Sequence, residues 1–546
     1  MRKNIIGLLL MAAFLVPQWA LAQTAVKLDA KERKMAEAIT AAQLKDYLYF
    51  VASDEMGGRD TPSNGLDITA KFIGTMLGRW GFKPAGDDGT FYQKIALRSD
   101  TIDAVNTIFR LGDQQYKMGD DFFRLGGNGT ASNAGLVFGG GGWMVKAKNI
   151  DELGGVDVKG KVVVLYRDGF PNQRNLVAPP AGVTADDLKG VKGTDWADPM
   201  TNAVAKGAAG VILIASPVLQ GMWGQLNGML GRGSMYPEKL REGGGGNQPT
   251  IPMFLASQKI SDAIFAGESA DRTSKTAFAI NKSVTLNSAS IAETKWTQNV
   301  VAVWEGSDPV LKNEYVAIGA HYDHVGTNPM ARTADKIWNG ADDDGSGTVS
   351  VLSIAEALAK APVRPKRSIL LVWHCGEEKG LWGSAYYNKF PTVDIKKVVA
   401  QLNIDMIGRS RKADDTNPKN KDLSPENGVY VIGSEMMSST LGAITKGTND
   451  AYLKLGYDYR YDDPKDTNRF FFRSDHFNYA QNGIPIVFWF DGVHEDYHQP
   501  GDEPQKIDYA KMEKIARTIF LTMWEVSDLK TRPAIDKQLP PELTER

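Results

Sequence analysis

The chain is nearly devoid of cysteine. Cys375 stands alone among 546 residues, so no intramolecular disulfide can form and stability must come from burial. Beyond the first 22 residues no apolar run reaches the ~20 positions that a membrane-spanning helix requires, which predicts a soluble mature protein without a span. The formal net charge is only -2 and no block of basic residues is present. The electrostatic footprint expected of a nucleic-acid binder is therefore missing. No internal repeat is visible. Histidine is also scarce, at six residues, and where those six fall becomes the most informative feature of the sequence.

What is present is an ordinary globular composition, 42% apolar and 23% charged, in a chain too long for one hydrophobic core. Arg2 and Lys3, the apolar stretch Ile5 to Val16, and Ala20-Leu21-Ala22 read as a signal peptide over residues 1–22, cleaved on export to the periplasm or the medium. Cleavage would take the formal charge from -2 to -4. Residues 23–104 carry two helical patterns, around 45–52 and 68–80. Between about 105 and 288 the texture changes to strand-like runs (162–166, 211–215, 251–256) separated by Gly-rich connections, with a helical segment at 199–206. The Gly- and Met-rich stretch 220–248 reads as an extended loop or lid, which would bring Met222, Trp223 and Met229 toward substrate. From 289 to 529 short apolar strands alternate with helices, the pattern of an α/β domain whose mixed, mostly parallel sheet is flanked by helices. The segment 530–546, with Pro533, Pro540 and Pro541, reads as a loosely docked tail.

All six histidines lie between 321 and 498, several of them just past predicted strand ends and beside acids. That edge is where open α/β sheets bind ligands. His321-Tyr322-Asp323 offers an imidazole whose far nitrogen an acid could hold. Asp342-Asp343-Asp344 precedes a helix start, and three adjacent carboxylates exceed what one helix cap needs. Glu377-Glu378 follows an apolar strand, so one carboxylate can bind metal while its neighbour deprotonates a water. Asp405 ends the next strand. Tyr497-His498 sets a phenol, able to donate to an oxyanion, beside an imidazole. So many carboxylates do not suit a closed structural zinc site, but fit two ions ~3.5–4 Å apart sharing a carboxylate.

The ordered segments HYDH, NGADDDGSG, HCGEEKGLWGS, NIDMIGR, RSDH and YHQPGD, with SDEMGGRDT and AGDDGTFYQK upstream, closely resemble the co-catalytic di-zinc aminopeptidases. That group also holds bacterial secreted leucyl aminopeptidases and the glutamate-carboxypeptidase-like enzymes. The resemblance implies five zinc ligands, His321, Asp343, Glu378, Asp405 and His498, with Asp343 bridging two ions. It implies Glu377 as general base, Asp323 as the partner of His321, Tyr497 as the oxyanion donor and Arg473 near the substrate's amino group. It further implies a cis peptide between Asp343 and Asp344. The middle region resembles a protease-associated domain inserted into the catalytic fold, on Val158-Lys159-Gly160-Lys161, the segment Ala205 to Gly210, and Ile251-Pro252. The implied activity is hydrolysis of the first residue from peptides with a free N-terminus. Alternatives are a carboxypeptidase or dipeptidase on the same scaffold, a single-zinc glutaminyl cyclase, and a receptor-like binding protein without catalysis.

Overall fold

The computed structural model describes residues 26–167, 177–230, 233–241 and 251–544. The expected signal peptide lies outside them. The chain divides into two compact units, one of residues 1–94 with 298–546 and one of 95–297. The second unit starts earlier and ends later than the 105–288 segment read from composition. Two long strands, Tyr92–Ile102 and Ser290–Trp304, carry the chain between units, so the change of texture lags behind the change of unit.

The first unit is built on strands β1 (Ser290–Trp304, from residue 298), β2 (Tyr315–His321), β3 (Ser368–His374), β4 (Val398–Ile404), β5 (Gly428–Ile432), β6 (Gly456–Asp458) and β7 (Ile486–Phe490). They lie in the order β1-β3-β2-β4-β7-β5-β6. β3, β2, β4 and β7 run parallel, while β1 and β5 are antiparallel to their neighbours β3 and β7. All seven residues of β3 and of β4 are buried. Such runs are apolar at successive positions because both faces are covered. Val301, Ala317, Leu370, Val372, Ile486 and Phe488 fall in one apolar cluster with Phe470, Phe471 and Phe477. The sheet is mixed and mostly parallel, flanked by helices, as the alternation predicts.

The helices of this unit are α1 (Ala30–Ala36), α2 (Ala41–Val51), α3 (Asn64–Arg79), α4 (Gly347–Lys360), α5 (Trp382–Lys389), α6 (Ser439–Ala451), α7 (His476–Gln481) and α8 (Tyr509–Asp528). α1 and α2 open with capping boxes at Asp29/Glu32 and Thr40/Gln43. α4 starts where the Asp344 carboxylate accepts from the Gly347 amide at 2.8 Å. A side chain at Gly347 would begin 2.4 Å from that carboxylate and 2.5 Å from the Ile404 carbonyl. Glycine is what lets the helix start against β4.

The tail departs from expectation. Leu543 is 3% exposed within the cluster of Phe470 and Phe471, the Lys537 amide donates to the Met437 carbonyl, and Asp536 accepts from the Ser439 amide. Its prolines suggested looseness, but one apolar anchor and a helix cap tie it down.

The second unit holds an eight-stranded sheet whose centre, Gly129–Phe138, Val162–Leu165, Gly210–Ile214 and Met253–Ala256, is parallel. Val162 and Val164 face one apolar cluster and Val163 and Leu165 the other, so each face has its own core. The stretch expected as an extended loop from 220 carries regular structure in its described residues, 220–230 and 233–241. It forms helices Pro217–Gly221 and Trp223–Leu230, strand Ser234–Pro237 and a turn of helix at Glu238–Arg241. Its glycines concealed two anchors. Leu226 is buried, and Trp223 packs on Phe123 at 4.6 Å while donating to the Gly119 carbonyl. Trp223 and Met222 thus pack into this unit's own core; the rest of the stretch, 242–248, lies outside the described residues. No helix among the described residues is long and apolar enough to cross a membrane. Cys375 is buried.

Candidate metal centre and active site

Four parallel strands end at one edge of the sheet, and the residues just past them supply the site. His321 closes β2, Glu377 and Glu378 follow β3, Asp405 follows β4, and the loop after β7 carries His494 to His498. Asp343 and Asp344 enter from the turn before α4. The peptide between them is cis, as the resemblance implies. Met406 (φ 58°) and His498 (φ 53°) adopt left-handed backbone without being glycine, a strain that concentrates at functional sites.

The five expected ligands converge. The Asp343 carboxylate lies between two histidines, Oδ1 at 3.2 Å from His321 Nε2 and Oδ2 at 3.0 Å from His498 Nε2. His321 Nε2 is also 3.6 Å from Asp405 Oδ1, and His498 Nε2 is 3.0 Å from Glu378 Oε2. The donor atoms form two groups, each within 4.8 Å. One is His324, Asp343, Glu378 and His498, and the other is His321, Asp344 and Asp405. His324 and Asp344 are not among the ligands that the resemblance implies, although both stand in the quoted segments. Asp344 does cap α4, yet its second oxygen is buried without a hydrogen-bond partner.

The electrostatics show what the cluster needs. Burial disfavours a charged His498, but the carboxylates of Asp343 and Glu378 outweigh it and hold the imidazole at about 10. Burial likewise opposes charge on His321, and Asp405 and Glu377 more than compensate, raising it. Burial raises the carboxyls of Glu377 and Asp405, with neighbouring acids adding to the effect. These groups crowd together only if positive charge is shared among them. His498 Nε2, Glu378 Oε1 and both nitrogens of His324 are buried without hydrogen-bond partners. Imidazole and carboxylate donors in this state fit a divalent metal such as zinc.

Glu377 sits beside the donors, its Oε2 4.0 Å from His321 Nε2. The Asp323 carboxylate lies within ion-pair distance of the His321 ring but shares it with the residue's own carbonyl. The ring's Nδ1 lies 3.1 Å from the Asp323 carbonyl and 3.6 Å from its carboxylate. That carboxylate also accepts from the Glu377 amide at 3.2 Å. One residue thereby orients both ligand and neighbouring acid, because a buried acceptor takes whichever donor is in line. Tyr497 stacks on His498 at 4.0 Å, and Arg473 donates to its hydroxyl at 3.1 Å. Burial and the Asp343 charge push the phenol well above its usual range, so it stays a donor. Met406, Phe470, Phe488, Phe490 and Val493 line a cleft together with Asp343, Glu377, Asp405, Arg473 and Tyr497.

Behind the donors, Asp502 accepts from the amides of Asp342 and Asp343 at 3.0 and 3.1 Å. Arg59, fully buried, donates to the carbonyls of Tyr322, Val51, Asn339 and Gly340. His494 lies 3.3 Å from Asp342. The two remaining histidines serve the core. His476 stacks on Phe488 and His374 faces the Tyr479 hydroxyl.

The chain is similar to several known proteins. Leupeptin-inactivating enzyme 1 of Streptomyces exfoliatus is 30% identical over 209 residues, 38% of this chain and 38% of that protein. A probable leucine aminopeptidase of Arthroderma benhamiae is 28% identical over 228 residues, 40% of this chain and 56% of that protein. The chain thus matches less than two thirds of the length of these curated relatives. BSAP, a zinc aminopeptidase from Bacillus subtilis, aligns over 89% of this chain and 95% of its own with 17% identity and a TM-score of 0.44. Residues 299–523 match the sequence model of Peptidase family M28.

Proposed function

We propose that the chain is an exported aminopeptidase that removes the first residue of peptides using two zinc ions. The observation that carries the reading is the Asp343 carboxylate, with one oxygen toward His321 and the other toward His498 beside Glu377. His321, Asp343 and Asp405 would hold one ion, and Asp343, Glu378 and His498 the other. When bound, the ions supply Lewis acidity that activates water and polarises the scissile carbonyl. Glu377 takes the proton from the attacking water and returns it to the leaving amine. Its raised affinity for a proton suits a group that must accept one and give it back. Asp323 fixes the backbone of this base, and Tyr497 donates to the developing oxyanion.

Arg473 binds on the substrate side of the cleft. Its charge works through the Tyr497 hydroxyl and favours the oxyanion over a free amine. Glu377 and Asp405 supply the negative surroundings that the substrate's N-terminal amine needs. The same Arg473 keeps a second reading alive, because a cation lining the cleft could also hold a C-terminal carboxylate. Residues 105–288 are read as a protease-associated domain, and residues 1–22 as a signal peptide.

A substrate survey tests the proposal. Leucine p-nitroanilide and free dipeptides should be hydrolysed, C-terminally amidated dipeptides too, and the N-acetylated forms should be nearly inert. Chelation should abolish the activity, and Glu377→Gln should keep the metal yet lose at least ~10²-fold in turnover. A strict need for a free C-terminal carboxylate would replace this reading with the carboxypeptidase one.

A further inference from the structure

We propose that His324 is a metal ligand, so that one ion is held by four protein side chains, His324, Asp343, Glu378 and His498. The other then has His321, Asp343 and Asp405. The inference rests on the two-metal reading of the site and makes its halves unequal.

His324 is completely buried. Its Nδ1 stands 2.8 Å from Glu378 Oε1 and 3.8 Å from Asp343 Oδ2, and its ring centre is 5.5 Å from that of His498. The simplest alternative is a ring N–H donating to Glu378. The geometry speaks against it, because despite the 2.8 Å approach neither Nδ1 nor Oε1 has an in-line hydrogen-bond partner. Two atoms that stand close without pointing at each other are placed as donors converging on a third point. Donors around a tetrahedral zinc at about 2.0–2.1 Å stand about 3.3 Å apart. The separations of His324 Nδ1 from Glu378 Oε1 and Asp343 Oδ2, 2.8 and 3.8 Å, and of His498 Nε2 from the same Asp343 oxygen, 3.0 Å, bracket that value.

The chain also makes room for the ring. Gly340 has φ 58°, and a Cβ there would lie 2.4 Å from His324 Cγ and 2.4 Å from the Asp343 carbonyl. The amide of His324 donates to the Arg59 carbonyl at 3.2 Å, and the Arg59 side chain holds the Gly340 carbonyl at 2.8 Å. Arg59 thereby fixes both the ring and the glycine beneath it. A buried imidazole with no partner would cost stability for nothing, whereas one aimed at a cation is used.

The test counts metal–nitrogen bonds directly. The full chain, labelled with 15N-histidine and saturated with 113Cd, should show one-bond cadmium–nitrogen couplings to three histidines, one of them through Nδ1. His324→Gln should remove that coupling and leave the other two. It should also lower the retention of one cadmium against a competing chelator by at least ~10-fold, with the second ion unaffected. Couplings to only two histidines in the parent chain would overturn the proposal and make His324 a neighbour of the site. Failure to bind cadmium or zinc at all would overturn the two-metal reading with it.

Discussion

A single side chain, Arg59, shows how much of the site is held by residues that never touch it. All four of its hydrogen bonds, at 2.7 to 2.9 Å, go to backbone carbonyls, those of Tyr322 and Gly340 among them. These carbonyls belong to the two loops that present His321, His324 and Asp343. Arg59→Met would remove the side-chain donor from four buried carbonyls, of which Gly340 alone keeps another partner, the Gly345 amide, at about 1–3 kcal/mol for each carbonyl left unpaired before relaxation. We expect the variant to lose at least ~3 kcal/mol in denaturant unfolding. It should also release zinc at lower chelator concentration than the parent, though no ligand has changed. Wild-type metal retention in a destabilised Arg59→Met chain would separate the guanidinium from the site. Nothing in the sequence announces this role, because a buried arginine bonded to carbonyls leaves no pattern in neighbouring residues. The ligands were legible for the opposite reason. His321, Glu378 and Asp405 each follow an apolar run, and a charged residue placed there demands a partner. His324 stood in the same segment but lacked a strand end of its own to mark it.

At the scale of elements, the last helix, α8, packs against α1 and α2. Glu525 on α8 faces like charges there. Burial and then the carboxylates of Glu32, Asp528 and Asp29 raise it to about 7. In the unfolded chain it titrates near the ordinary glutamate value, so the folded state binds the proton more tightly. Stability is therefore greatest with Glu525 protonated, falls as pH rises from about 4.5 to 7, and levels off above. Glu525→Gln should match the parent near pH 5 and exceed it at pH 8, after screening by about 1 kcal/mol, or roughly 2–4 °C in Tm. A constant difference across that range would mean the carboxylate does not titrate as described. Elements were most legible where burial is two-sided, as in Tyr315–His321 and Val398–Ile404, whose apolar runs coincide with strands. They were least legible between 217 and 241, where composition dominated by glycine and methionine concealed helices pinned by Trp223 and Leu226.

For the molecule as a whole, the unit that carries the candidate site is assembled from two stretches of chain separated by the 95–297 unit. Leu543 belongs to its core, buried with Phe470 and Phe471. Deleting residues 533–546 should lower unfolding stability by at least ~2 kcal/mol through lost apolar burial. An unchanged midpoint would restore the loose tail that the prolines suggested. The division of the chain also orders events in time. The 95–297 unit is contiguous, so every partner it needs is present once residue 297 has been made. α2 is different, for it packs against α8, which lies more than 450 residues further along the chain. At about 5–20 residues per second, the interval between α2 and α8 is roughly half a minute to a minute and a half. Throughout it α2 lacks one of its packing partners, while the unit encoded in between already has all of its own residues.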